Sequence, residues 1–404
     1  MLTLPQCLTI GLTANPALEL ARQNLVSARE KAGEARAGYY PTFKFATVYT
    51  HNSATENDMS MLSDGYETHL SVRQTVYDGR ATKELVRAAG HNARAQEYEG
   101  QKTGLDIVQN IKAAYFETLK RRELLEVTKA MQESAAKHLE QARALYKEGM
   151  TPRSDVIKAE VRVSSAQLEA IQAENAWLSA KAVLAAAMGL PVTTAFDTVR
   201  QDPDSRNHEF PPLETMLALA HDSRPELQGA KARIAAAEAG RRQAQSGLYP
   251  NISLDASYGW QENRVIPDDQ KWSVGITIGI PVFEQLTARS KVNQAIATIN
   301  GLKATETQTR RNIELEVKQA WLGLKEAHER QSVSVKALEQ STEDMLVSEG
   351  RYQEGVGTIL EVIDAQTALT QAQTNQVVAA FDIATAQVKL DRATGQRPTE
   401  EIGK

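Results

Sequence analysis

Aromatic residues make up only 5% of this 404-residue chain, and its mean hydropathy is −0.41. Both values are lean for large compact cores and favour an elongated architecture. A single cysteine, Cys7, excludes an internal disulfide. The Leu4-Pro5-Gln6 ahead of it lacks the small residues of a lipidation site, so Cys7 reads as a buried helix position. No run of about 20 apolar residues occurs, which excludes a transmembrane helix. The first residues carry no charged region followed by an apolar segment of the export-signal kind. Charge is balanced: 46 Lys and Arg stand interspersed among 51 Asp and Glu, for a net −5. That leaves no basic patch for nucleic acid. The seven histidines are scattered, with no pair at ligand spacing joined by a third ligand, and no glycine-rich loop ends in Lys-Ser or Lys-Thr. These absences argue against a metal site, a cofactor and an enzyme.

What is present is a duplication. An offset of 209 carries Pro16 onto Pro225, Leu18 onto Leu227, Tyr40 onto Tyr249 and Pro41 onto Pro250. Further along, the offset becomes 206 and holds without a gap: Val76 meets Val282, Lys112 meets Lys318, Tyr146 meets Tyr352, Gly149 meets Gly355, Ala159 meets Ala365 and Gly189 meets Gly395. A period of about 200 residues is too long for a solenoid unit and points to a duplicated structural half.

Each half reads as a short helix, a hairpin, a very long helix, a turn and a medium helix. The first repeat spans 1–189, with a helix at 17–39, strands within 42–77, a long helix at 80–148 and a helix at 153–189. The second spans 214–395, with a helix at 214–248, strands within 251–283, a long helix at 286–354 and a helix at 358–394. Residues 190–213, with Pro191, Pro203, Pro211 and Pro212, form the linker and the only plausible internal boundary; 396–404 is a C-terminal tail. The long helices contain no proline and are rich in Ala, Glu, Lys, Gln and Arg. At 1.5 Å per residue each is about 100 Å long.

Between the short and long helices the apolar period switches from 3.6 to 2. Ile252, Leu254, Ala256, Tyr258 and Trp260 alternate with small or polar residues, as do Trp272, Val274, Ile276, Ile278 and Ile280. Phe43, Phe45, Thr47 and Tyr49, then Leu70, Val72, Gln74 and Val76, echo this in the first half. One apolar and one small or polar face over about ten residues is the pattern of a membrane β-barrel wall. Tyr49, Tyr258, Trp260 and Trp272 suit interfacial aromatic belts. The alternative is a soluble coiled-coil scaffold or tether whose hairpins pack on its helices. In the membrane reading four strands cannot close a barrel, since about eight are needed. The barrel must then be shared between chains, and two, three or four copies would each close it.

The layout resembles the TolC-like outer membrane efflux proteins. The resemblance covers essentially the whole chain. It rests on the paired helix starts Asn15-Pro16-Ala17-Leu18 and Arg224-Pro225-Glu226-Leu227, the strand starts Tyr40-Pro41 and Tyr249-Pro250, and Val76-Tyr77-Asp78-Gly79 and Val282-Phe283 after the second strands. The turns Tyr146-Lys147-Glu148-Gly149 and Tyr352-Gln353-Glu354-Gly355, followed by Asp155-Val156 and Glu361-Val362-Ile363-Asp364-Ala365-Gln366, complete it. The resemblance implies a homotrimer in the outer membrane of a Gram-negative bacterium. Its twelve strands would make a barrel, continued by a long α-helical barrel across the periplasm. It further implies a passive, non-enzymatic exit duct of a tripartite efflux or type I secretion system, served by a periplasmic adaptor and, through it, an inner-membrane transporter.

By the family pattern the bore narrows, and partners attach, at the helix-turn-helix tips. Glu361 and Asp364 fall one helical turn apart on one face, so a trimer would stack two acidic rings. Rings of this kind attract cations and bind divalent ones. In the first repeat Asp155 matches Glu361, while Lys158 takes the place of Asp364 and interrupts or neutralises the ring. The second tip is short and uncharged, which leaves Arg153 as the candidate gate latch, together with Lys158. Gly149, Met150 and Thr151, with Gly355, Val356, Gly357 and Thr358, are small and nearly charge-free and are the expected adaptor contacts.

Overall fold

The computed structural model describes residues 1–51, 64–199, 211–262 and 270–396. In chain order the elements are α1 (Leu4–Ala14), α2 (Pro16–Ala37), β1 (Thr42–His51), β2 (Asp64–Tyr77), α3 (Ala81–Lys147), α4 (Arg153–Ala187), α5 (Leu213–Ser223), α6 (Pro225–Ser246), β3 (Asn251–Glu262), β4 (Gln270–Gly279), α7 (Gln285–Gln353) and α8 (Ile359–Thr394). The repeat is visible in this order, six elements and then six.

The short helices differ from the sequence expectation. Each is a pair of helices rather than one. A helix α1 precedes the one expected at 17–39, and the helix expected over 214–248 is broken into α5 and α6. The break has one cause in both repeats. Asn15 (φ −71°, ψ 121°) and Arg224 (φ −70°, ψ 118°) are extended because the residue before a proline is pushed out of the helical region. Cys7 lies fully buried in α1, where burial, outweighing a backbone hydrogen bond, pushes its thiol up to about 11.

The four strands form one antiparallel sheet in the order β1-β2-β3-β4. Residues 52–63 and 263–269, which fall within the expected strand regions, lie outside the described residues. β4 stops at Gly279, short of the expected 283, where its partner Asn251 is the first residue of β3 and Pro250 before it has no N–H to give the ladder. The register puts Phe43 opposite Val72, Leu70 opposite Tyr258 and Tyr258 opposite Trp272, so the apolar residues share one face.

Two compact units are present, and neither is a repeat. One gathers Ala21–Gly100 and Glu226–Thr309, including the sheet; the other gathers the remaining described residues. These units do not divide at 190–213, which lies within the continuous segment Gln101–Pro225 of one of them. Strands from both repeats share one sheet, and each long helix contributes to both units, so the contacts do not divide by repeat. Residues 190–199 are also packed rather than a free linker: Val199 N–H donates to Leu2 O at 3.0 Å, Tyr115 Oη donates to Val199 O at 3.2 Å, and Phe196 packs on the core. Residues 200–210 and the tail beyond 396 lie outside the described residues.

That core belongs to the second of these units and is built on Leu8, Ile111, Tyr115, Leu184 and Met188, all fully buried. Below it, α4 and α8 each carry alanine at every seventh position, Ala159, Ala166, Ala173, Ala180 and Ala187, then Ala365, Ala372, Ala379, Ala386 and Ala393. Seven of these ten are buried. Ala166 packs against Met131 and Ala135 of α3, and Ala365 against Met345 and Tyr352 of α7. A strict seven-residue spacing keeps the seam facing its partner through a left-handed supercoil.

Candidate functional site

Each tip is made by a helix that ends in a left-handed glycine and a second helix that starts within a few residues. Gly149 (φ +75°) closes α3: its N–H donates to Tyr146 O and Met150 N–H reaches back to Leu145 O, at 3.0 and 2.9 Å. Gly355 (φ +71°) closes α7 in the same way through Tyr352 O and Arg351 O. This double closure satisfies the last helical carbonyls and turns the chain sharply. α8 then starts on Thr358, whose hydroxyl accepts from Glu361 N–H at 3.3 Å.

The acidic residues of the tips sit in different surroundings. Glu361 is exposed and lies 3.5 Å from Arg351 Nε on α7. Asp364 is exposed and forms no ion pair among the described residues. Asp155 is half-buried and pairs with Lys158 of its own helix at 3.7 Å. Lys158 therefore neutralises Asp155 within the first tip. Arg153 makes no ion pair among the described residues, whereas Arg351, which the sequence reading passed over, faces Glu361. Their separation of ten positions across a turn gives no periodic signal. Tyr352, which the sequence marks only as part of the turn, is buried at 5% exposure, and burial, then the nearby Asp155 charge, raises its hydroxyl above the ordinary tyrosine value.

The proposed contact residues divide by exposure. Met150 (72%) and Val356 (70%) are apolar and open. Gly357 is not open: a Cβ there would fall 3.0 Å from Arg351 Cβ and 3.1 Å from the Tyr352 nitrogen. Thr151 is half-buried, with its hydroxyl buried and lacking a hydrogen-bond partner.

On the sheet, Trp272, Ile276, Val274 and Phe45 are 64–75% exposed, an apolar face that no described residue covers. The opposite face holds Lys44, Glu67, His69, Ser71, Arg73, Asp255, Ser257 and Ser273, with Arg73 paired to Asp255. Tyr49, Tyr258, Trp260 and Trp272 cluster at one end of the strands, where Tyr258 and Trp260 meet edge to face at 5.5 Å. None of the described helices is long and apolar enough to cross a membrane, and no described group of acidic, His or Cys residues could hold a metal ion.

Paired long helices with an amphipathic four-stranded sheet define a TolC-like outer membrane channel fold. The solved outer membrane protein VceC of Vibrio cholerae superposes with a TM-score of 0.85 at 21% identity, over 97% of this chain and 96% of that one. The open-state MtrE channel of Neisseria gonorrhoeae does so at 0.83 and 18%, over 97% and 88%. The sequence profile of the outer membrane efflux proteins matches residues 11–190 and 216–396. This chain belongs to that family. Among its relatives, protein CyaE of Bordetella pertussis is 24% identical over 98% of this chain and 84% of its own length. The outer membrane protein TolC of Escherichia coli is 22% identical over 96% and 81%.

Proposed function

We propose that the chain is one subunit of a homotrimeric exit duct in the outer membrane of a Gram-negative bacterium, passive in itself and fed by an inner-membrane transporter through a periplasmic adaptor. The carrying observation is the sheet. Its strands of 10–14 residues meet the 9–11 residues a membrane strand needs, no described residue covers its apolar face, and β1 and β4 are edges with no further strand paired to them among the described residues. Unpaired edges are not tolerated in lipid. Three copies give twelve strands, and an even number per copy keeps every junction antiparallel. A soluble scaffold would leave Trp272 and Ile276 in water for no return.

The helices support the same assembly. α4 carries Ile157, Val161, Leu168, Ile171 and Leu178 at 50–65% exposure, spaced by three, four and seven. This is a second apolar seam opposite the alanine one, suited to a neighbouring copy. In the trimer, Glu361 and Asp364 would form the acidic constriction, with Asp155 muted by Lys158. Met150 and Val356 would be the centres of adaptor contact. Arg351, 3.5 Å from Glu361, joins Arg153 and Lys158 as a candidate gate latch.

Single-channel conductance of detergent-extracted protein in a planar bilayer tests this. Small, steady, cation-preferring openings blocked by divalent cations on the periplasmic side are expected. Silence from a preparation that stays soluble without detergent would refute it.

A further inference from the structure

The two repeats end their medium helices on the same scaffold with different chemistry. In the first, α4 ends at Gly189 against Asn15, whose amide donates to Ala187 O at 3.0 Å. The surrounding positions are apolar: Leu12 and Val108 belong to the core. In the second, the residues at the matching positions are polar or charged. His221 replaces Leu12 and Glu314 replaces Val108, and they meet at 3.1 Å. Arg224 replaces Asn15, and Arg392 replaces Ala186.

These charges form a chain. Arg224 Nη1 donates to Arg392 O and Ala393 O at 3.0 and 3.2 Å, and its Nη2 donates to Glu316 at 2.8 Å. Arg392 Nε donates to Asp106 of α3 at 2.6 Å, and its Nη1 lies 3.9 Å from Glu316. Both arginine side chains are under 10% exposed, while both carboxylates are at least 40% exposed. Asp106 belongs to the first repeat and Arg392 to the second, so this chain of charges ties one repeat to the other.

Buried ion pairs add little net stability compared with apolar packing, and their best-attested use is to fix one arrangement among several. Such a choice exists here. The alanine seam of α8 presents only methyl groups, Ala365 meeting Met345 and Tyr352 of α7, so few interlocking atoms hold the helix against sliding. We propose that the Arg224, Glu316, Arg392 and Asp106 network clamps the end of α8, and through the seam sets where Glu361 and Asp364 stand at its other end. Arg392 and Asp106 are thus positioning residues for the constriction, which lies about 40 Å away along α8. The clamp itself needs only the network; its effect on the bore rests on the duct reading above.

The test uses the full-length detergent-solubilised protein as wild type, Arg392→Gln, Asp106→Asn, the double variant and Asn15→Ala. Deuterium exchange is followed in 388–396 and in its counterpart 184–190, and each protein is then examined in the bilayer. Arg392→Gln and Asp106→Asn are expected to speed exchange in 388–396 by about tenfold without changing 184–190. Each should raise resting conductance about twofold or more, with the double variant no larger than Arg392→Gln alone. Asn15→Ala should loosen 184–190 and leave conductance unchanged. Wild-type exchange in both charge variants would overturn the clamp; faster exchange with wild-type conductance would overturn its role in positioning the constriction. If Arg392→Gln fails to assemble, Asp106→Asn carries the same comparison, since its side chain is largely solvated. A silent wild type would overturn the duct reading and the bore effect together, while exchange would still decide the clamp.

Discussion

Replacing Gly189 by alanine and, separately, Gly149 by alanine puts the same methyl group on nearly the same backbone, at φ +77° and +75°. The left-handed conformation itself costs about 1 kcal/mol in each case. The surroundings then separate them. Nothing lies within 4 Å of a Cβ at Gly149, but at Gly189 it would stand 2.8 Å from Asn15 Cα and 3.0 Å from Ala14 O. Those are backbone atoms, which cannot rotate aside, and forced shifts of this kind cost about 1–3 kcal/mol more. The totals are about 1 kcal/mol at the tip and about 2–4 kcal/mol at the α4 end. At about 1.4 kcal/mol per tenfold, local amide exchange should quicken about fivefold around Met150, and by about thirtyfold to several hundredfold around Leu190. Deuterium exchange with mass spectrometry on the two single variants reads both. Equal effects at the two sites would refute the close approach of the α4 end to the α1–α2 break.

Replacing Glu361 and Asp364 together by alanine should raise resting conductance or relieve divalent block in the bilayer; the Asp364 change alone should relieve block more than Glu361→Gln, because Arg351 already offsets Glu361. Val356→Arg and Met150→Arg should abolish export while leaving trimer yield unchanged, read by transport in cells and by native gel. Gly357 is the poorer probe, since any side chain there also displaces the Tyr352 backbone. Glu84, 4% exposed, gives a pH signature: burial pushes its carboxyl up, but hydrogen bonds and charge from Arg242 and Arg87 outweigh this and hold it below the ordinary carboxylate value. A depressed carboxyl stabilises above its unfolded pKa and loses that contribution as pH falls through its folded one. Glu84→Gln should therefore lower the thermal midpoint at neutral pH and narrow its difference from wild type at acid pH.

The duplication, the long helices and the switch to a two-residue period were legible because each is a local pattern, repeated in register. Proline positions carried more than was drawn from them: Pro16 and Pro225 break their helices by pushing Asn15 and Arg224 out of the helical region. The alanine seam also stood in the sequence, at a constant spacing of seven. It is quiet because alanine favours any helix and marks a contact only when its burial is known.

The sequence by itself determined the long helices, the medium helices, the strands and their repetition in two copies, since helix, strand and turn preferences act over a few residues. Tertiary structure decided which residues meet across long separations. Arg392 reaches Asp106 from 286 positions away and Arg224 reaches Glu316 across 92. It also decided that the compact units cut across the repeats. Such pairings depend on how helices supercoil and where their ends press together, and no short-range preference encodes that.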